Sequence, residues 1–190
     1  MDLRQEYNSL FTAVLEEHAE VFRRQDLDEI EIFMDMIIRA KRLFVMGAGR
    51  EGIAARSFAM RLMHLGKEVH WIWDDTTPGM HEGDLFIVVN GSGEIGHISY
   101  TADQAAKTGA RIAVVTGAPA GSCPAKADFS LFVPAAVYKG NDSRTVPSVQ
   151  PMGNLFEQHL FLLFDIIVIL LEKKLNLTHA AMESRHRNIE

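Results

Sequence analysis

A single cysteine, Cys123, stands among the 190 residues of the chain. No internal disulfide can form, so the fold rests on its core, and a cytoplasmic setting is the default expectation. A surplus of positive charge is also missing. Nineteen Lys and Arg face 25 Asp and Glu, a formal net charge of −6, which excludes the basic surface a nucleic-acid binder needs. Long apolar runs are absent too. The most apolar stretch, Leu160 to Leu171 (LFLLFDIIVILL), is broken by Asp165. It is too short to span a bilayer and reads as a buried helix. The opening MDLRQEYNSLF lacks the basic-then-apolar form of a signal peptide. No group of His, Cys, Asp or Glu has metal-ligand spacing, and no cofactor is expected. What remains, 47% apolar residues with only 8% aromatics, suits one globular domain with a sizeable core.

The apolar pattern changes period along the chain. Residues 2–22 place Leu10, Val14, Leu15, Ala19 and Phe22 at helical spacing, and 27–40 do the same with Ile30, Phe33, Met34, Ile37 and Ile38. Then short continuous apolar runs begin: RLFVMGAG, EVHWIW, LFIVVNGSG, RIAVVTG and FSLFVP. Between them lie helical stretches at 52–65 and at 95–108, the latter closed by Gly109, and a short turn or helix at 120–126. A polar loop spans Ala135 to Val149. A long helix is expected from Pro151, placed in its first turn, to Leu175, and a last short one from Thr178 to Arg187. Continuous rather than alternating runs mark a parallel sheet covered on both faces, an α/β three-layer sandwich. Residues 1–40 form a helical arm before a domain of residues 41–190. The arm's apolar stripe either covers its own sheet or packs against another subunit. In such sheets ligands bind beyond the carboxyl ends of the strands, where each glycine-rich loop falls.

Two of those loops could hold an anion. GAGREG (Gly47 to Gly52) fits G-x-G-x-x-G, and Asp74 and Asp75 follow near the distance a dinucleotide fold requires. A tight strand-to-helix turn explains the same string without a ligand. NGSGE, Asn90 to Glu94, precedes a helix whose first N–H groups could receive a negative group, and it too is explained by a tight turn. His64 stands near a helix end, where a packed or capping histidine is the plainer reading. Glu157 stands one turn into the apolar helix, either solvated at its mouth or held over a pocket, and the positive helix end favours its anion. His159 is a weaker candidate, and Cys123 in its Ser-Cys-Pro turn is structural or incidental.

Taken together, GAGREG, SFAMRLMHLG, TTPGMHEGDLFIVVNGSGE, QPMGNLFEQ and the closing RHRNIE resemble the 6-phospho-3-hexuloisomerases, sugar isomerase (SIS) domain proteins. The resemblance runs from about residue 40 to the C-terminus. It implies a five-stranded parallel sheet with helices on both faces, in the flavodoxin-like manner. It also implies a homotetramer with active sites shared between subunits. The implied reaction is aldose–ketose isomerisation of a sugar phosphate through an enediol. The family's base resembles Glu157, and its histidine, reaching a neighbouring site, resembles His64. His186 matches a histidine of the family's C-terminal string. The sugar phosphate would be held around Gly49, Arg50, Glu51, Asn90, Gly91, Ser92, Gly93, Glu94 and Ile95, with Thr77 nearby.

The phosphate end departs from the family. Serine is usual where Glu51 stands, and SGSGET where this chain has NGSGEI. A carboxylate about 4 Å from one phosphate charge costs on the order of 4 kcal/mol at an effective dielectric near 20. Glu51 is therefore expected to turn outward, to pair with Arg50, Arg56 or a cation of another subunit, or to face a ligand without phosphate. The alternative to an isomerase is a non-catalytic sugar-binding sensor or regulatory protein. A nucleotide-binding oxidoreductase ranks below both.

Overall fold

The computed structural model describes residues 1–140 and 142–189. Asn141 of the long polar loop and Glu190 of the closing RHRNIE lie outside the described residues. Five strands, β1 (Leu43–Gly47), β2 (Val69–Trp71), β3 (Leu85–Val89), β4 (Arg111–Thr116) and β5 (Phe129–Phe132), form one sheet in the order β2-β1-β3-β4-β5. Every pairing is parallel. All five residues of β1 and all five of β3 are buried, which is why these strands read as unbroken apolar runs.

The described residues also form six α-helices, α1 (Leu3–Arg24), α2 (Leu27–Arg39), α3 (Gly49–His64), α4 (Gly96–Ala106), α5 (Asn154–Lys174) and α6 (His179–Glu183), and a 3-10 turn at Pro124–Lys126. One sheet face, built from Leu43, Val45, Ile87, Val89 and Val115, packs with α2, α3 and α5. The other, built from Phe44, Met46, Phe86, Val88 and Val114, packs under α4. Helix α2 places Phe33 and Ile37 in the first of these cores. The Phe58 ring on α3 stacks on Phe164 of α5 with centroids 4.3 Å apart. That contact fixes the helix carrying Glu51 against the helix carrying Glu157.

Helix starts follow local chemistry. Asp2 and Asp26 each accept two backbone N–H groups and cap α1 and α2. Helix α5 begins later than the sequence suggests. Pro151 precedes it, in the turn where its carbonyl accepts the Asn154 N–H at 3.1 Å. Gly153, in the left-handed conformation with φ 78, is the residue that reverses the chain into the helix. The last helix, α6, is also shorter than expected.

By length and composition α5 could cross a membrane. It is instead one-sided. Leu155, Leu160, Leu163 and Ile167 are buried in the core, while Phe161, Leu162, Ile166 and Ile169 are exposed. Helix α1 is similarly divided. Its C-terminal half packs on α5 through His18 and Phe22, both against His159. Its N-terminal half leaves Leu3, Tyr7, Leu10, Phe11 and Leu15 exposed.

Candidate active site

The chain turns back between β1 and β3, so the loops after these adjacent strands lie side by side. Gly47 and Val89, their last residues, are register partners. Helix α3 starts hard against β1. A Cβ on Gly52 would lie 2.7 Å from the Gly47 carbonyl oxygen, so the spacing of GAGREG has a packing reason of its own. Asp74, the candidate ribose acid of a dinucleotide site, instead pairs with Arg56 at 2.8 Å.

Between these loops and the start of α5 lies a cleft of about 230 Å³. Gly49, Arg50, Glu51, Gly91, Ser92, Ile95 and Glu157 line it, together with Ala48, Val137, Tyr138, Gly153 and Phe156. Seven of the residues singled out in the sequence therefore meet here. Sequence reasoning missed Tyr138 and Phe156. Phe156 was visible inside QPMGNLFEQ, whereas nothing in the polar loop marked Tyr138.

Glu51 does not turn outward, nor does it pair with a cation of this chain. Only 8% of it is exposed, and its Oε2 accepts the Gly91 N–H at 2.8 Å. Its other oxygen, Oε1, is buried without a partner. Arg50 is engaged elsewhere: it bonds Asn154 Oδ1 and lies 3.2 Å from Glu157 Oε2. Burial and the neighbouring Glu157 charge push the Glu51 carboxyl up to about 8, against the pull of the Gly91 N–H. Near neutral pH it is a neutral acid.

Gly91 makes this arrangement possible. Its carbonyl accepts the Thr116 hydroxyl and the Gly117 N–H, both at 3.1 Å. A Cβ there would lie 2.7 Å from Glu51 Oε2 and 2.9 Å from the Phe156 ring. Gly91→Ala is therefore expected to expel the Glu51 carboxyl and to cost about 1–3 kcal/mol by overpacking. Urea unfolding at pH 7 reads the cost, and a midpoint equal to wild type would mean the loop yields freely.

Glu157 lies in the first turn of α5 with its N–H bonded to Gly153 O at 3.2 Å. Burial raises its pKa and Arg50 lowers it, with burial the larger cause. The Arg50 nitrogen sits at ion-pair distance from Oε2 but without hydrogen-bond geometry, so this oxygen keeps its accepting capacity.

The remaining candidates lie outside the cleft. Asn90 is fully buried below it, accepting the Ile95 N–H at 3.4 Å. Glu94 turns away and takes the Ser122 N–H and hydroxyl, each at 2.6 Å. Gly93 packs on Gly121, and the Thr77 hydroxyl donates to Trp71 O at 2.7 Å. Cys123, buried, donates its N–H to Gly93 O at 3.0 Å and supports the loop from beneath. His159 faces His18 across the α1–α5 junction, Nδ1 to Nδ1 at 3.2 Å, away from the cleft. His64 is buried at the far end of α3 and stacks on His186, ring centroids 5.3 Å apart. Burial, Arg61 and His186 all lower its pKa, which favours the neutral imidazole. These two histidines line a separate, wider cleft with Arg61, Glu172 and His179. His64 stands thirteen positions after Glu51 on α3, a rise of about 20 Å. One chain does not bring His64 to Glu157.

A parallel sheet in this order, with a cleft over the β1–β3 switch, defines an α/β protein that binds a small polar ligand at its strand ends. The match to known families is specific: residues 36–147 fit the SIS domain, and the chain belongs to that family. It is 37% identical to the 3-hexulose-6-phosphate isomerase of Bacillus subtilis (strain 168), over 86% of this chain and 88% of that one. It is 36% identical to the protein of the same name from Mycobacterium gastri, over 93% of this chain and 88% of that one. Among solved structures, a Methanococcus jannaschii protein superposes with a TM-score of 0.82 at 28% identity, covering 95% of this chain and 98% of that one. Its crystal structure is described as inferring a 3-hexulose-6-phosphate isomerase function. Helix α5, with Glu157, lies beyond the matched domain but within a chain that these relatives span almost entirely.

Proposed function

We propose that the protein is a sugar-phosphate isomerase acting on a hexulose 6-phosphate or a close derivative, with Glu157 as the base. The carrying observation is a carboxyl held at a cleft wall with one oxygen free of hydrogen bonds, beside a guanidinium that favours its charged form against burial. Such a base lifts the proton from the carbinol carbon next to a carbonyl, giving an enediol, and returns it to the neighbouring carbon. The same shift joins an aldose to a ketose at the chain end and two ketoses further along.

His64 serves the sugar oxygens from a second copy of the chain, in a homotetramer with shared sites. Its distance from Glu157 within one chain and the uncovered apolar residues of α1 and α5 support this reading. Gly49, Arg50, Gly91, Ser92 and Ile95 line the seat of the ligand, and His186 accompanies His64. We assign the protein to the cytoplasm, with residues 1–40 as the arm toward other copies and no nucleic-acid partner, in keeping with its single cysteine and its acidic charge.

The test is incubation with 3-hexulose 6-phosphate in deuterium oxide. Deuterium at the carbon beside the carbonyl, together with a ketose product, is expected. Full absence of both across a panel of ketose and aldose phosphates would overturn the reading.

A further inference from the structure

The carboxyl of Glu51 lines the same cleft as the loop after β3 and Glu157. It is wedged against the loop after β3, bonded to the Gly91 N–H, with Oε1 buried and unpartnered. The charged and titratable groups around it are few. Arg50 on its own helix is committed to Glu157 and Asn154. Glu157 on α5 shares the cleft and opposes a second negative charge there. Glu94 on the loop after β3 is tied to Ser122. Tyr138, on the loop before α5, is the remaining titratable lining group. Among the described residues no cation pairs with Glu51, and Lys139, the cation beside Tyr138, lies over that ring.

We propose that Glu51 makes the binding of a phosphorylated sugar depend on a proton: the cleft accepts the dianion when Glu51 is the neutral acid and rejects it when Glu51 is a carboxylate. This rests on the sugar-phosphate reading given above and adds a specificity residue to it. With Glu51 neutral, the cleft holds one carboxylate, Glu157, against one guanidinium, Arg50. With Glu51 ionised, a net negative wall faces a dianion, and even one such pair of charges about 4 Å apart weakens binding by about a thousandfold. Binding and protonation are linked, so phosphosugar drives proton uptake at Glu51 and high pH drives phosphosugar off. An unphosphorylated sugar carries no such penalty. The elevated titration of the buried carboxyl places the change in the mildly alkaline range.

The experiment measures affinity for fructose 6-phosphate and for fructose by calorimetry, from pH 6.5 to 9.5, on wild type and Glu51→Gln. Glutamine keeps the size and the bond to Gly91 without the charge. The phosphate titrates identically with both proteins, so the difference between them isolates residue 51. Wild-type affinity for fructose 6-phosphate is expected to fall toward tenfold per pH unit above about pH 8. Glu51→Gln is expected to stay flat there, and fructose to bind both proteins without this slope. Proton uptake on binding, read from buffers of different ionisation enthalpy, is expected for wild type alone. Equal slopes for the two proteins, or equal slopes for the sugar with and without phosphate, overturn the proposal while leaving the isomerase reading intact. If neither protein binds fructose 6-phosphate at any pH and neither turns over a sugar phosphate, the isomerase reading falls and the proton linkage with it.

Discussion

Glu157→Gln is expected to lower kcat by about 100- to 10,000-fold, the range a positioned base contributes, with little change in thermal stability. The amide matches the carboxyl in size and can still lie beside Arg50, so the wall of the cleft keeps its shape. It cannot take a proton from carbon. Deuterium incorporation from solvent should disappear together with conversion, because both pass through the same abstraction. The pH profile offers a second reading. Burial raises the Glu157 pKa above the ordinary carboxylate value of 4.5, so the acid limb of wild-type activity should lie above that value. Turnover that survives in the variant with an unshifted acid limb would assign the base elsewhere.

The second large effect is on stability. His159 is fully buried, and burial, reinforced by His18, pushes its pKa from 6.5 down to about 3. The folded chain therefore refuses a proton that the unfolded chain accepts below 6.5. Stability is full above 6.5 and falls by up to about 1.4 kcal/mol per pH unit from there toward 3. Glu51 acts in the opposite sense. Raised from 4.5 to about 8, it contributes stability that is full below 4.5 and lost as pH rises to 8, about 3 kcal/mol of it by pH 7. The two limbs predict maximum stability on the acid side of neutrality, between the ordinary values of the two groups. Urea midpoints from pH 4 to 8.5 test this. Glu51→Gln should flatten the alkaline limb and raise the midpoint at pH 7, and His159→Gln should flatten the acid limb whatever its absolute stability. A wild-type curve that rises steadily from pH 5 to 8 would contradict the assignment of Glu51, and an acid limb unchanged in His159→Gln would contradict that of His159.

The sheet was legible because its strands are buried on both faces, so each reads as an unbroken apolar run. The cleft was legible in outline because glycine-rich loops after strands meet where the chain reverses. The direction of Glu51 was not, because it depends on the missing side chain of Gly91, 40 residues away. The possibility that Glu51 is protonated follows from its burial, which no local pattern announces. The start of α5 was misplaced because Pro151 suits a first turn, and only the left-handed backbone of Gly153 shows where the turn occurs. The pairing of His18 with His159 joins residues 141 positions apart and depends on α1 folding back along α5.

The length of α3 has a genetic consequence. If the helix sets Glu157 and His64 too far apart to serve one site, each working site draws its two residues from different copies. Two alleles, one encoding Glu157→Gln and the other His64→Ala, would each give an inactive protein alone. Expressed in one cell, their products would mix, and some junctions would unite an intact Glu157 with an intact His64. Activity should reappear from two dead genes, read as isomerase turnover in an extract of cells carrying both.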